Sequence, residues 1–234
     1  MSPRVTPENR IPDIVNAAIR VFRARGYRLT QMDEIAKEAG VSKATLYYYF
    51  KSKIHLFYYL LENGAPEDGA PMQPREDCSS IREADLLRLL QKRLKTISRL
   101  KSINTSLKDN SGMADIASEL KHILNEIWEL MEKNRIQIIL LEKSAFEFPE
   151  LAQVYDKYAR RQLLGQLECY LDNRIKLGAI RPLESVSVVA RMIIESIAWF
   201  GFKQSGDYMS PVRYSKSEAL PELVAIFVNG LKKQ

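Results

Sequence analysis

The spacing of apolar residues, which recur every three or four positions, is the feature that most limits how this chain folds. The pattern continues along nearly the whole sequence, and no run alternates apolar and polar residues as a strand does. Apolar residues at this spacing line one face of a helix, so each helix needs a neighbour against which to bury that face. The sequence therefore predicts an all-α protein.

Proline, glycine and acidic residues divide the chain into a short and a long helical part. Helices are predicted at about 9–25, 30–40, from 42, and 52–63 in the first part, and at 81–103, 113–146, 149–177, 183–202 and 220–232 in the second. Between them lies GAPEDGAPMQPREDCSS, a composition typical of a flexible linker or long loop. We expect one helical domain at 1–63, with a joining helix at 52–63, a flexible linker or loop at 64–80, and a second helical domain at 81–234.

Charge is concentrated at the N-terminus. Residues 1–60 contain ten Lys and Arg and five Asp and Glu, so they carry five of the six net positive charges of the chain. A basic N-terminal domain on an otherwise nearly neutral chain indicates a polyanionic partner. The longest apolar stretch, 186–202, is interrupted by Arg191 and Glu195, and no secretory signal precedes the first domain, so we expect a soluble cytoplasmic protein.

The stretch GVSKATLYYYFKSK, at 40–53, predicts a short helix whose outer face suits a DNA groove. With Ser42 as the N-cap, Leu46, Tyr49 and Phe50 fall on the buried side. The side chains left outside combine small or hydroxyl-bearing groups for base edges with positive charge for phosphates. These outer residues are Lys43, Ala44, Thr45, Tyr47 and Tyr48, with Lys53 at the start of the next helix.

Residues 10–57 resemble the N-terminal domain of the TetR (tetracycline-repressor-like) family of transcriptional regulators. The matching pieces are IVNAAIRVF with GY after it, TQMDEIAKEAGVS, and ATLYYYFKSKIHLF. The resemblance implies a helix-turn-helix made by the second and third helices, a homodimer, and a variable C-terminal domain that usually binds a small inducer. It places Thr30 and Lys53 at phosphate-contact positions and the five outer residues of the third helix at recognition positions.

Two positions depart from the family pattern. Many members have a second threonine where this chain has Gln31, which bears on how the second helix is capped. We expect Thr30 to cap it instead, because Thr30 and Asp33 have capping-box spacing. Many members also have an acid where this chain has Ile54, so the fourth helix lacks a usual dipole partner in its first turn.

The helix at 183–202 is apolar over most of its circumference. One neighbour cannot bury so wide a surface, so we expect core on one side and a partner subunit on the other; a fully internal helix is the alternative. Together with the 149–177 helix it would form a four-helix bundle between two subunits. The predicted interface residues are Leu167, Leu171, Val189, Ile193 and Ile197.

One stripe of the 113–146 helix suggests where an effector binds. Leu120, Leu124, Ile127, Met131, Asn134, Ile138 and Leu141 alternate steps of four and three, and Asn134 alone is polar. A buried amide needs a partner. Either Asn134 is satisfied internally or by an ordered water, or the stripe lines an apolar cavity in which Asn134, Trp128 and Met131 contact a hydrophobic or amphipathic effector.

No catalytic, metal-binding or cofactor motif is present, and His55 and His122 are the only histidines. Cys78 and Cys169 are isolated, so neither a zinc site nor a disulfide is expected. We expect no enzyme and no cofactor, but a homodimeric repressor that binds a palindromic duplex operator with its third helices about 34 Å apart. A small effector would release it; the alternative is a constitutive or architectural DNA-binding protein without an inducer.

Overall fold

Helices make up all the regular structure in the described part of the chain. The computed structural model describes residues 10–64, 80–108, 115–206 and 212–233. The helices are α1 Ile11–Arg25, α2 Met32–Glu38, α3 Lys43–Tyr49, α4 Lys53–Asn63, α5 Glu83–Ile97, α6 Lys101–Ser106, α7 Ile116–Lys133, α8 Arg135–Ser144, α9 Pro149–Tyr155, α10 Arg161–Lys176, α11 Val186–Gly201 and α12 Lys216–Leu231. The all-α prediction is confirmed, while the loop predicted at 64–80 falls almost wholly outside the described residues.

The first four helices lie close to where the sequence predicted them, because each has a local start signal. Pro12 stands in the first turn of α1, where a missing N–H costs no hydrogen bond. Ser42 and Ser52 cap α3 and α4, and each serine hydroxyl accepts a backbone N–H three residues later. Glycines with positive φ, Gly26 and Gly64, follow α1 and α4.

The helix predicted at 81–103 is in fact two helices, and side chains from other helices satisfy the break. The amide of Gln166, on α10, accepts from the Leu100 N–H at 2.8 Å and donates to the Ser98 carbonyl at 2.6 Å. The carboxylate of Glu126, on α7, accepts the N–H groups of Lys101 and Ser102 at 2.8 Å each. These partners replace the hydrogen bonds that a continuous helix would make.

The helix predicted at 113–146 is also divided, and this overturns the proposed stripe. Asn134 ends α7 with φ −106° and ψ 19°, and α8 begins at the next residue. The Asn134 side chain donates to the Leu130 carbonyl at 2.8 Å. The stripe was predicted on one continuous helix, so its alignment beyond Asn134 no longer follows.

The helix predicted at 149–177 has an irregular centre. A π-helical turn, Asp156–Arg160, separates α9 from α10. Such a turn inserts one residue and shifts the apolar face of everything that follows. At the other end of the chain, Ser215 and Glu218 form a capping box that starts α12 four residues earlier than predicted, and Pro221 lies inside that helix.

The contacts of the chain form two units. One contains Met1–Arg93 and Ile136–Asp156, and the other contains Leu94–Arg135 and Lys157–Gln234. We call them the N-terminal and C-terminal units. The N-terminal unit contains the predicted DNA-binding domain together with the later segment 136–156, which the sequence assigned to the effector domain. The functional division at 63 and 81 stays a prediction.

In the C-terminal unit α7, α10, α11 and α12 pack together, and a buried ion pair joins α10 to α7. The fully buried Arg174 donates from Nε and Nη2 to the two carboxylate oxygens of Glu119 at 2.8 and 2.6 Å. The hydroxyl of Tyr170 donates to the same carboxylate at 3.0 Å, and Arg174 also reaches the Ser106 carbonyl. This cluster joins the end of α6, the first turn of α7, and α10.

The predicted dimer-interface residues belong mainly to this core, which corrects their assignment. Leu167, Leu171, Ile193 and Ile197 are each 0% exposed within the single chain, and Val189 is half-buried. The large apolar residues that α11 leaves exposed are Val188, Met192 and Trp199, at 57%, 55% and 44%. The apolar circumference of α11 was recognised, but the side facing inward was assigned to the partner.

Candidate DNA-binding interface

The geometry of α1 to α4 presents α3 on the surface. Helix α1 packs against α2 and α4, and α2 packs against α3. Phe22 of α1 meets Phe57 of α4 edge to face, with ring centroids 5.1 Å apart. Leu46 and Phe50 are both 0% exposed, and the Phe50 ring meets that of Tyr59 on α4, so α3 is anchored by buried side chains.

The start of α3 follows the prediction. Ser42 Oγ accepts the Thr45 N–H at 3.0 Å, and the two hydroxyls lie 2.8 Å apart. Thr45 is therefore half-buried and engaged with the cap, whereas Lys43 and Ala44 are exposed.

The tyrosine run is divided as predicted for Tyr47 and Tyr48, which face outward, while Tyr49 is less buried than predicted. Tyr48 is 68% exposed, Tyr47 is 37% exposed, and Tyr49 is half-buried. Tyr48 and Tyr49 meet edge to face with ring centroids 5.1 Å apart, which limits the rotamers open to Tyr48. The ammonium group of Lys51 lies 5.7 Å from the Tyr48 ring, so charge and phenol share one surface. The sequence did not single out Lys51 as a contact residue, although it lies within the stretch at 40–53.

Lys43 forms an ion pair with Asp33 of α2. Its ammonium group lies 2.9 Å from the carboxylate, and both side chains are about three-fifths exposed. This hydrogen bond raises the pKa of Lys43 above its ordinary value. Exposed ion pairs of this kind contribute little to stability, so Lys43 is able to exchange Asp33 for a phosphate at small cost.

Lys53 has a more constrained environment than the sequence suggested. Its ammonium group donates to the carbonyls of Arg28 and Thr30 at 2.9 Å each, and it lies 4.8 Å from the ring centroid of Tyr27. Burial lowers the pKa of Lys53, an effect that the nearby Glu147 carboxylate opposes. An ammonium group has three N–H donors, so one remains beside the two carbonyls.

Thr30 does not occupy the position that the sequence assigned to it. It is 1% exposed, and its hydroxyl donates to the Gly26 carbonyl at 2.6 Å, so the side chain has no surface to offer a phosphate. The N-cap of α2 is the exposed Gln31, whose N–H donates to Glu34 at 3.0 Å in a capping box. The predicted Thr30 cap is therefore wrong, and Gln31 takes its place at the start of the helix.

The residues proposed for an effector all lie in the C-terminal unit. Trp128, Met131 and Asn134 are 2%, 7% and 6% exposed. The Asn134 amide bonds to its own helix, which is the internal alternative that the sequence left open. Among the described residues, the indole N–H of Trp128 is the one buried side-chain polar group without a hydrogen-bond partner.

The segment that contains most of α1 to α4 matches a known protein family. Residues 14–60 match the model described as "Bacterial regulatory proteins, tetR family". The chain matches the tetR family over this segment, which contains most of α1 to α4. It is a helix-turn-helix transcriptional regulator that binds DNA, as the sequence predicted, and its relatives are regulators rather than enzymes.

Three similar proteins extend this comparison. The uncharacterized HTH-type transcriptional regulator YfiR of Bacillus subtilis (strain 168) is 26% identical over 83% of this chain and 80% of its own. The HTH-type transcriptional activator FasR of Mycolicibacterium smegmatis is 44% identical, but over only 25% of this chain and 27% of its own. The solved structure of the TetR-family regulator PfmR from Thermus thermophilus covers 94% of this chain and 95% of its own, with a TM-score of 0.53 and 18% identity. That last likeness shows the fold alone.

The described residues include neither a candidate membrane-spanning helix nor a candidate metal-binding cluster. Within the described ranges, no helix is long and apolar enough to cross a bilayer. Those ranges also contain no group of three or more His, Cys, Asp or Glu side chains placed to hold a metal ion.

Proposed function

We propose that this tetR-family protein is a homodimeric repressor that reads a palindromic operator with α3 and is released by a small effector. The proposal rests on the exposed face of α3, while Leu46 and Phe50 hold the other face in the core. The exposed residues are Lys43, Ala44, Tyr47 and Tyr48. Thr45, which is half-buried and whose hydroxyl lies against Ser42, is kept in the proposed contact set. Short side chains and phenol hydroxyls suit base edges in a major groove, and ammonium groups suit phosphates.

Backbone contacts in the proposed complex come from the edges of the same surface. Lys53 keeps one donor beside its two carbonyls, Gln31 stands at the start of α2, and Lys51 flanks Tyr48. These residues replace Thr30 in the proposed contact set. Each lysine that meets a phosphate releases about one counterion, so binding should weaken steeply with salt.

A dimer is proposed because one α3 reads only one half-site. Val188, Met192 and Trp199 lie on one exposed side of α11, at spacings of four and seven residues. An exposed apolar stripe of this kind favours a second copy of the same helix as its partner. The proposed interface therefore uses these three residues in place of the buried ones predicted from sequence.

Repression is proposed because a dimer that covers a promoter excludes other proteins from the same DNA. FasR, which is similar over 25% of this chain, is named an activator, so activation is the competing outcome. Either function acts on the bacterial chromosome, so a cytoplasmic location is part of the proposal.

Control by an effector is supported by Trp128. A buried donor without a partner costs about 1–3 kcal/mol, and a ligand with an acceptor oxygen would recover that energy. The buried neighbour Met131 offers an apolar wall, so the expected effector has an apolar body and one acceptor group. A constitutive binder would instead keep this donor unpaired in every state.

The experiment begins with selection of an operator from a random duplex library, followed by binding measurements with and without dodecanoate as an apolar carboxylate probe. The wild type should bind one palindrome and lose affinity when the probe is added. Trp128→Phe keeps an aromatic ring but removes the donor, so it should bind the palindrome normally and respond less to the probe. Failure to select any sequence would refute operator recognition, and a probe response unchanged in Trp128→Phe would refute the donor's role.

A further inference from the structure

The backbone between α1 and α2 is held in place by side chains from a distant part of the chain. Residues 26–31 form no regular element, so their N–H and carbonyl groups need partners outside a helix ladder. The N–H of Tyr27 donates to Ser144 Oγ at 3.2 Å, and the N–H of Arg28 donates to Glu147 Oε1 at 2.7 Å. We call residues 144–148, which turn from α8 into α9, the 144–148 corner.

The corner also packs against this loop. The guanidinium carbon of Arg28 lies 4.8 Å from the ring centroid of Phe148, and Tyr27 stacks on the same ring at 5.8 Å. Gly26 lies directly against the Glu147 carboxylate, and its φ of 82° is unfavourable for any other residue. A side chain at Gly26 would collide with Glu147, so the glycine permits this close approach.

The same loop also binds Lys53. The carbonyls of Arg28 and Thr30 accept from Lys53, and the loop then runs directly into Gln31, the N-cap of α2. The N–H and the carbonyl of Arg28 thus connect Glu147 to Lys53 across a single residue. If the corner lost its hold on Arg28, both the Lys53 ammonium group and the start of α2 would lose their fixed positions.

We propose that Glu147 is a positioning residue for the phosphate contacts of the DNA-binding surface. It fixes the Arg28 peptide, and through that peptide it aims Lys53 and Gln31 at the DNA backbone, while α3 has its own anchors, Leu46 and Phe50. This inference rests on the proposed duplex contacts of Lys53. Loss of Glu147 should therefore weaken binding to every duplex without changing sequence preference.

Electrostatics alone predicts that loss of Glu147 tightens DNA binding, so the direction of the change distinguishes the two explanations. Glu147 carries a negative charge close to a surface proposed to meet a polyanion, and its removal alone should tighten DNA binding. A positioning role requires that binding weaken instead. The nearby exposed Glu150, at the start of α9, offers a matched loss of charge.

The test measures fluorescence anisotropy of the full chain on its selected operator and on an unrelated duplex of the same length. Glu147→Ala should weaken both complexes about tenfold, because a hydrogen bond to a charged acceptor is lost. Glu147→Gln, which retains an acceptor oxygen, should bind within about threefold of the wild type. Glu150→Ala should bind both duplexes as well as the wild type or slightly more tightly. Amide exchange at Arg28 should accelerate in Glu147→Ala and not in Glu147→Gln.

Each outcome either supports or overturns the proposal. Unchanged or tighter binding by Glu147→Ala overturns it, as does a loss confined to the operator. If Glu147→Ala does not fold, Ser144→Ala decides: weaker binding to both duplexes supports the corner, and wild-type binding overturns it. Tyr47→Ala and Lys53→Ala, measured in parallel, distinguish failure of the proposed DNA-binding function from failure of the role proposed for the 144–148 corner. If both bind like the wild type, the proposed function fails and the corner with it; if both weaken while Glu147→Ala does not, only the corner fails.

Discussion

Helices α3 and α11 both leave large hydrophobic side chains exposed, yet the chemistry of those side chains differs. On α3 the exposed residues are Tyr47 and Tyr48, which carry hydroxyl groups and lie beside lysines. On α11 they are Val188, Met192 and Trp199, which include no charged group and one polar N–H. The first set suits a hydrated, charged partner, and the second suits an apolar partner.

The two helices also differ in how well their faces were predicted. The short α3 has one neighbouring core and one outer side, so its periodicity was sufficient to separate Leu46 from Tyr47. The longer α11 is apolar almost all round, so its periodicity indicated two buried sides without saying which one the chain itself covers. Mutations on each helix can therefore test whether exposure or composition marks the functional side.

The largest expected effect on stability comes from α11, where the buried Ile193 and the exposed Met192 are adjacent. Ile193→Glu should lower the free energy of unfolding by more than about 3 kcal/mol, because it buries an unpaired carboxylate in the core. Met192→Glu should change it by less than about 1 kcal/mol but give a monomer. Thermal melting and sedimentation of both variants test this. A folded Ile193→Glu monomer would restore the assignment made from sequence.

A pair on α3 separates anchoring from recognition. Leu46→Ala should cost about 2–5 kcal/mol of stability because it empties a fully buried site. Tyr47→Ala should melt nearly like the wild type and weaken operator binding by about 1–3 kcal/mol. Anisotropy titrations and melting curves distinguish the two, and normal operator binding by Tyr47→Ala would remove this residue from the contact surface.

Lys43 is an exposed charge, whereas Lys53 is also hydrogen-bonded to two loop carbonyls, so the two lysines should differ in their effect on stability. Lys43→Ala should flatten the dependence of log binding constant on log salt by about one ion, with no change in melting temperature. Lys53→Ala should flatten it similarly but also lower the melting temperature, because two loop carbonyls lose their donor. Titrations between low and physiological salt measure the slopes, and a variant whose slope equals that of the wild type makes no phosphate contact.

The smallest expected effect is a pH dependence of stability that comes from His55 of α4. His55 is 3% exposed, and burial lowers its pKa below the ordinary value of 6.5, with Lys51 adding to the shift. The unfolded chain then binds more protons than the folded chain just below that value, so stability is complete above about pH 6.5 and falls as pH drops through the folded pKa. Urea unfolding at pH 8 and pH 5.5 should show this loss in the wild type and in His122→Gln, whose site is exposed. A loss of equal size in His55→Gln would exclude His55 as its source.

Much of the N-terminal fold and of the site could be predicted because their signals are local. Ser42 and Ser52 cap helices with hydroxyls that reach only three residues along the chain, and the spacing of Leu46 and Phe50 identifies the anchored side of α3. Thr30 was misassigned because two adjacent residues both had plausible capping spacing. The hydroxyl of Thr30 bonds the Gly26 carbonyl instead, and Gln31 became the cap.

Local patterns thus established the all-α class, the first four helices and the tyrosines that face outward, since these depend on hydrogen bonds and spacings within one turn. The break at 98–100 and the anchoring of the α1–α2 loop depend on Gln166, Glu126 and Glu147, which lie far away in sequence. Which side of α11 is buried depends equally on which helices pack against it. Only the tertiary structure decides these features, because a backbone group or an apolar face accepts any suitable partner, and the fold determines which partner comes within reach.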